Sequence, residues 1–158
     1  MRYFMLDKIT EVVVGERAAG IKCVTLSDDV LHDHFPDYPV LPGALVVEAA
    51  AQLAGFLLEV SENRSAERPR RAVLVQIDRV KLHRPSEPGD CIELTAELGD
   101  SLEGAAKVLV EAQVRGERVM RGTLTFVLRH VDSELVHEQR RYLYRLWTRG
   151  LTTPVPIP

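Results

Sequence analysis

The stretch PGALVVEAAAQLAGFLLEV, Pro42 to Val60, decides how the rest of the chain is read. Pro42 suits the first turn of a helix, where its missing N–H is no loss and its φ is already helical. The residues that follow are apolar at almost every position, so the helix they form must be buried on most sides. By length alone it would also pass for a minimal membrane span. Glu48, Gln52 and Glu59 interrupt it, alanines are frequent, and the flanking chain is rich in strands. The expectation is therefore the core helix of a soluble domain and no membrane span.

Working outward, Lys8 to Val14 is β-branched and reads as a strand, Gly15-Glu16 as a turn, and Arg17 to Thr25 as the returning strand. Leu26 to Pro39 reads as a loop broken by Pro36 and Pro39. Beyond the helix, Ser61 to Arg71 is charged and predicts a solvated connection. Four strands follow, at Ala72–Leu82, Cys91–Leu98, Lys107–Val114 and Val119–Leu128, with turns at Pro88-Gly89, Gly99-Asp100, Gly104 and Gly116. Two strands, one long helix and four strands predict an α+β domain, an antiparallel sheet wrapped around a central helix. Such a sheet leaves its edges and the far side of the helix to be covered, which pairing with a second copy would do. Residues 1–130 form this unit. Residues 131–158 read as an extension: a helix from Glu134 to Arg149 capped by Asp132 or Ser133, with Leu135, Tyr142, Leu146 and Trp147 partly on one face, then a proline-rich extended tail.

The gross numbers narrow the class. The chain has 158 residues, 46% hydrophobic and 27% charged, with a net charge of −3. It can bury a sizeable core, and it carries no bulk positive field for nucleic acid. Cys23 and Cys91 stand in no metal-ligand spacing and read as free thiols of a reducing compartment, so the cytoplasm is expected. Met1 to Thr10 lacks the apolar run of a signal peptide.

Chemistry concentrates in HFPDYPVLPGALVVEAAAQ, His34 to Gln52. Pro36, Pro39 and Pro42 hold a loop that carries the imidazole of His34. Gly43 then opens the helix, where free N–H groups favour developing negative charge and the missing side chain lets a substrate approach. Glu48 lies within the buried helix, where partial desolvation makes a carboxyl a usable proton donor. Gln52, four residues on, shares its helix face. Base, acid and oxyanion donor together suit removal of an α-proton from a thioester with loss of a β-hydroxyl. His32 and His34 could share a face of an extended segment, but no third ligand stands nearby, so no metal is expected. His83, His130 and His137 have no companion motif and read as surface or structural residues.

These residues resemble the active-site segment of the β-hydroxyacyl-acyl-carrier-protein dehydratases of the FabZ/FabA type: HFPxxPVxPGxLxxExxAQ, met here by His34, Phe35, Pro36, Pro39, Val40, Pro42, Gly43, Leu45, Glu48, Ala51 and Gln52. FMLDKITEV (Phe4 to Val12) and IDRVKLHRPSEPGD (Ile77 to Asp90) are similar to flanking segments of that family. The resemblance implies a hot-dog fold and dehydration of (3R)-hydroxyacyl thioesters on an acyl carrier protein. His34 would be the base, Glu48 the acid, the Gly43 N–H the oxyanion donor and Gln52 the group that orients Glu48, with Phe35 and Pro42 lining the substrate. It implies no metal or organic cofactor, and a homodimer in which His and Glu meet across the interface, with dimers assembling into hexamers in many members. Arg64, Arg68, Arg70, Arg71, Arg79, Lys81 and Arg84 are candidates for docking an acidic carrier. The departures are Asp33 and Asp37, which give DHFPD where the family has GHFPG. They keep open a non-catalytic acyl- or carrier-binding module, and a thioesterase or isomerase of the same fold is a further alternative.

Overall fold

A computed structural model describes residues 3–63, 68–102 and 104–158. Strands β1 (Lys8–Val13) and β2 (Arg17–Cys23) form a hairpin. A short 3-10 turn (Asp29–Leu31) interrupts the loop before helix α1 (Gly43–Glu62). Strands β3 (Arg70–Leu82), β4 (Cys91–Leu102), β5 (Ala105–Val114) and β6 (Glu117–His130) follow, and helix α2 (Glu134–Trp147) comes last. The sheet is antiparallel throughout, in the order β1-β2-β4-β5-β6-β3. This is the expected hot-dog arrangement, one helix held in the curl of one sheet.

Alternation explains the strands. Ala106, Val108, Val110, Ala112 and Val114 of β5 are buried while their neighbours are not, and Ile92, Leu94 and Ala96 of β4 repeat the pattern. A flat sheet could not wrap a helix. Register shifts in β1, β3, β4 and β5 supply the extra bend and twist. One lies in β3 between Asp78 and Lys81, where β6 comes so close that a Cβ on Gly122 would stand 2.4 Å from Val80 Cγ2. Gly99-Asp100, expected as a turn, instead lies within β4 beside one of these shifts, because the pairing with β5 resumes at Ser101.

The central helix is buried along most of its length, with Ala49, Leu53, Ala54, Phe56 and Leu57 fully covered. It is long and apolar enough to cross a membrane by composition, but here the sheet and α2 cover it. Pro42 takes the N-cap and not the first helical position, so Gly43 opens the helix. The helix also runs two residues further than Val60, and β3 begins at Arg70, which shortens the expected connection. Arg64 and Glu67 of that connection, with Met1 and Arg2, lie outside the described residues.

Helix α2 starts where expected, with Ser133 Oγ accepting from the Val136 N–H. Its buried face shares only Trp147 with the one read in the sequence. Leu143, Tyr144 and Trp147 enter the core, whereas Leu135, Tyr142 and Leu146 are exposed. The reason is a polar anchor. Glu59 of α1, only 1% exposed, accepts from Tyr144 Oη at 2.7 Å, from Arg71 Nη1 at 2.7 Å and from the Ala72 N–H at 3.0 Å. Arg71 in turn donates to His137 Nδ1, and His137 Nε2 donates to the Val131 carbonyl. Tyr144 packs edge-on against Phe56 and stacks with Trp147. Burial, and then the Glu59 charge, push the Tyr144 phenol well above its ordinary range, so it stays a donor. Cys23 and Cys91 are paired across β2 and β4 as free thiols, with sulfurs 3.6 Å apart.

Removing one side of this buried pair strands a charge. Arg71→Met is expected to lower unfolding free energy by about 3–5 kcal/mol in urea titrations, and Arg71→Met combined with Glu59→Leu to recover most of it.

Candidate active site

The loop before α1 is built to present His34. Phe35 and Tyr38 exchange backbone hydrogen bonds in both directions at 3.0 Å, closing a turn over Pro36 and Asp37. Proline first and a left-handed residue second is the pattern of a type II turn, and Asp37 has φ 60°. That is why glycine suits this place, and aspartate is among the few other residues that visit the region. Asp33 points outward, nearly fully exposed, and pairs with His32 at 3.3 Å. Asp33 thus sits in solvent and Asp37 in the left-handed position of the turn.

His34 is half-buried and stacks on Phe35 with ring centroids 4.3 Å apart. Its Nδ1 lies 2.8 Å from the Val40 carbonyl oxygen. A carbonyl only accepts, so Nδ1 carries the proton and Nε2 is left with a free lone pair. The Val40 N–H bonds back to the His34 carbonyl, and Leu41 bridges to Ser86, which ties the loop to the β3–β4 connection. His34, Gly43, Val46, Leu82 and Ser86 line one cavity of about 330 Å³. A Cβ at position 43 would fall 2.3 Å from Leu82 Cδ1, so glycine is what lets the end of β3 lie over the helix start. The N–H groups of Gly43 and Ala44 precede any intrahelical acceptor and stay available to a ligand.

Glu48 lies on another wall. Its Oε1 accepts from Gln52 Nε2 at 2.8 Å. Gln52 is itself clamped: Nε2 also donates to the Tyr3 carbonyl at 2.9 Å, and Oε1 accepts from the Met5 N–H at 2.9 Å. This leaves one orientation for the amide and aims its N–H at Glu48. Glu48 Oε2 makes no hydrogen bond among the described residues. Glu48 and Gln52 line a second cavity, also about 330 Å³, with Gly55, Glu59, Phe126 and Tyr144. Within one chain, then, His34 and Gly43 belong to one cavity, Glu48 and Gln52 to another. Phe35 is exposed beside His34 and Pro42 caps the helix, and neither of these expected substrate-lining residues lines either cavity.

Sequence reasoning missed Ser86, whose fully buried Oγ lines the His34 cavity with no hydrogen-bond partner among the described residues. It also missed the cavity end formed by Glu59, Arg140 and Tyr144. Nothing local marks these residues; they converge only through the fold. Among the basic candidates, Arg71 is buried against Glu59 and cannot dock a carrier, while Arg84 pairs with Asp90 and Glu117 and Arg70 with Glu62. Arg68, Arg79 and Lys81 remain exposed. No three His, Cys, Asp or Glu side chains converge among the described residues.

A hot-dog domain with this imidazole, helix start and carboxyl defines a class: residues 1–123 match the FabA-like domain family, and the chain belongs to it. Within that family, it is 39% identical over 127 residues to the 3-hydroxyacyl-acyl-carrier-protein dehydratase FabZ of Clostridioides difficile, covering 80% of this chain and 87% of that one. It is 38% identical over 126 residues to the enzyme of the same name from Bacillus velezensis, with 80% and 87% covered. Among solved structures, a chain of the dehydratase heterocomplex ApeI:P from Xenorhabdus doucetiae shares the fold, with a TM-score of 0.65, 18% identity, and 87% of this chain and 90% of that one covered.

The turn geometry carries its own test. Asp37→Val should cost about 1–2 kcal/mol in thermal or urea unfolding, because a branched side chain resists the left-handed region, while Asp37→Gly should not destabilise.

Proposed function

We propose that the protein dehydrates (3R)-hydroxyacyl thioesters, carried on an acyl carrier protein, to trans-2-enoyl thioesters in fatty acid or related lipid biosynthesis. The observation that carries this reading is the His34 tautomer, held by Val40 so that Nε2 is the basic nitrogen of a cavity that also holds the Gly43 helix start. Nε2 takes the α-proton. Negative charge developing on the thioester oxygen is met by the Gly43 N–H, strengthened by the helix dipole. Glu48, oriented by Gln52, hands its proton to the departing β-hydroxyl, and water leaves. One proton is taken and one given, so the balance closes with these groups alone and calls for no cofactor. The two aspartates that kept a non-catalytic module open are absorbed by the loop, so that reading loses its motive.

The working unit is a homodimer. Because His34 and Glu48 line separate cavities of one chain, a complete site needs His34 of one protomer beside Glu48 of its partner. Edge strand β3 supports this, since it leaves one side unpaired and exposes Val73, Val75 and Ile77. Two free thiols this close fit a reducing compartment, the cytoplasm. Exposed Arg68, Arg79 and Lys81 would meet the acidic carrier.

The test is enoyl formation from a carrier-linked 3-hydroxyoctanoyl thioester. Folded His34→Ala and Glu48→Gln should each lose about 10²–10⁴-fold in kcat, and a folded His34→Ala that keeps its rate rules the mechanism out. Mixing the two inactive variants by co-expression should restore part of the rate, because each mixed dimer then holds one site with both groups intact. No recovery in verified mixed dimers would place both groups of a site on one chain.

A further inference from the structure

The cavity beside Glu48 runs along α1 toward the C-terminal helix. Glu48, Gln52, Gly55 and Glu59 are spaced four, three and four residues apart, so they share one helix face, and all four line the cavity. From Glu48 to Glu59 the helix axis covers roughly 16 Å, at about 1.5 Å of rise per residue. The middle of this path is apolar, walled by Ala72 and Phe126. Gly55 is the notable position there. A Cβ on it would meet Ala72 Cβ at 3.8 Å and Phe126 Cε1 at 3.9 Å, ordinary contact distances. Alanine would fit and would favour the helix, so neither packing nor backbone angle demands glycine. What glycine does is leave room.

The end toward α2 is polar. Tyr144, from α2, reaches across to Glu59, which Arg71 also holds, and Arg140 stands at the same end. An apolar chain advancing beyond this point must break a hydrogen-bonded, buried ion pair, which is far costlier than displacing a side chain. Contact distances of about 4 Å at either end leave roughly 8 Å of free path. At about 1.2 Å per bond of extended chain, that accepts roughly six or seven carbons beyond the reacting centre.

We propose that this cavity receives the acyl chain and that α2, through Tyr144 bonded to Glu59, closes its end, making the protein a dehydratase of short- and medium-chain substrates. The inference rests on the dehydratase reading above. It gives the C-terminal extension a function, the floor of the acyl site.

The experiment compares carrier thioesters of 3-hydroxybutyrate, 3-hydroxyoctanoate and 3-hydroxyhexadecanoate. Wild type should handle the first two and fall at least about tenfold in kcat/KM on the third. Gly55→Ala should lower octanoyl turnover about tenfold relative to butyryl turnover. Tyr144→Ala, which removes the ring but keeps Glu59 paired with Arg71, should raise hexadecanoyl relative to octanoyl turnover. Equal wild-type rates on octanoyl and hexadecanoyl, or folded variants that scale every chain length alike, overturn the proposal. Should Tyr144→Ala fail to fold, Gly55→Ala decides alone. Calorimetry with unreactive 3-hydroxyacyl-pantetheine amides of the same lengths separates the two readings. A length ceiling in binding without turnover keeps the cavity and refutes the reaction; turnover without a ceiling does the opposite.

Discussion

A helix that is apolar on nearly every side can persist in water only if something surrounds it, and the rest of this structure follows from meeting that demand for α1. One sheet does most of the covering, and it must curl to do so. The register shifts in four of its strands and the close approach of β6 to β3 at Gly122 are the means. Alternating burial along β4 and β5 faces the helix, while charged side chains take the outer surface. The helix start is left at the rim of the curl, where its free N–H groups remain accessible. Burial of the helix and accessibility of its first turn are two results of one arrangement.

The second consequence concerns charge. Burying α1 also buries Glu59, and an isolated carboxylate in that position would be untenable. Arg71 from β3, Tyr144 from α2 and the Ala72 backbone together compensate it. The C-terminal helix is thereby bound to the core by a specific set of bonds as well as by Leu143 and Trp147. Glu48, on the same helix face, is treated differently. Among the described residues its hydrogen-bond partner is the neutral amide of Gln52. Two carboxylates on one stripe of one helix thus differ in their surroundings, one locked in a buried ion pair and one bonded to a neutral amide.

Much of this was legible in the sequence. The apolar run from Pro42, the alternating strands and the turn glycines specify the α+β arrangement because their periods, 3.6 and 2, are local properties of the backbone. Proline spacing and helix periodicity place His34, Gly43, Glu48 and Gln52 relative to one another, and the resemblance of their segment to the dehydratase motif is what singled them out. The errors fell where packing overrode pattern. Gly99-Asp100 has turn residues but continues a strand, since β5 offers hydrogen bonds past it. Tyr142 and Leu146 look like the apolar face of α2, yet the bond from Tyr144 to Glu59 rotates a different face inward. Arg71 looks like a solvated loop cation and is a buried counter-ion.

By itself, then, the sequence determined the kinds of element, their order and the chemical groups available, all of which depend on neighbours a few residues apart. Only the tertiary structure decided that His34 and Glu48 open into separate cavities of one chain, that Val40 bonds the His34 imidazole, and that Arg140 and Tyr144 of the C-terminal helix line the Glu48 cavity. Those outcomes join segments distant in the chain, and no local periodicity records which distant surfaces will meet when an apolar helix is enclosed.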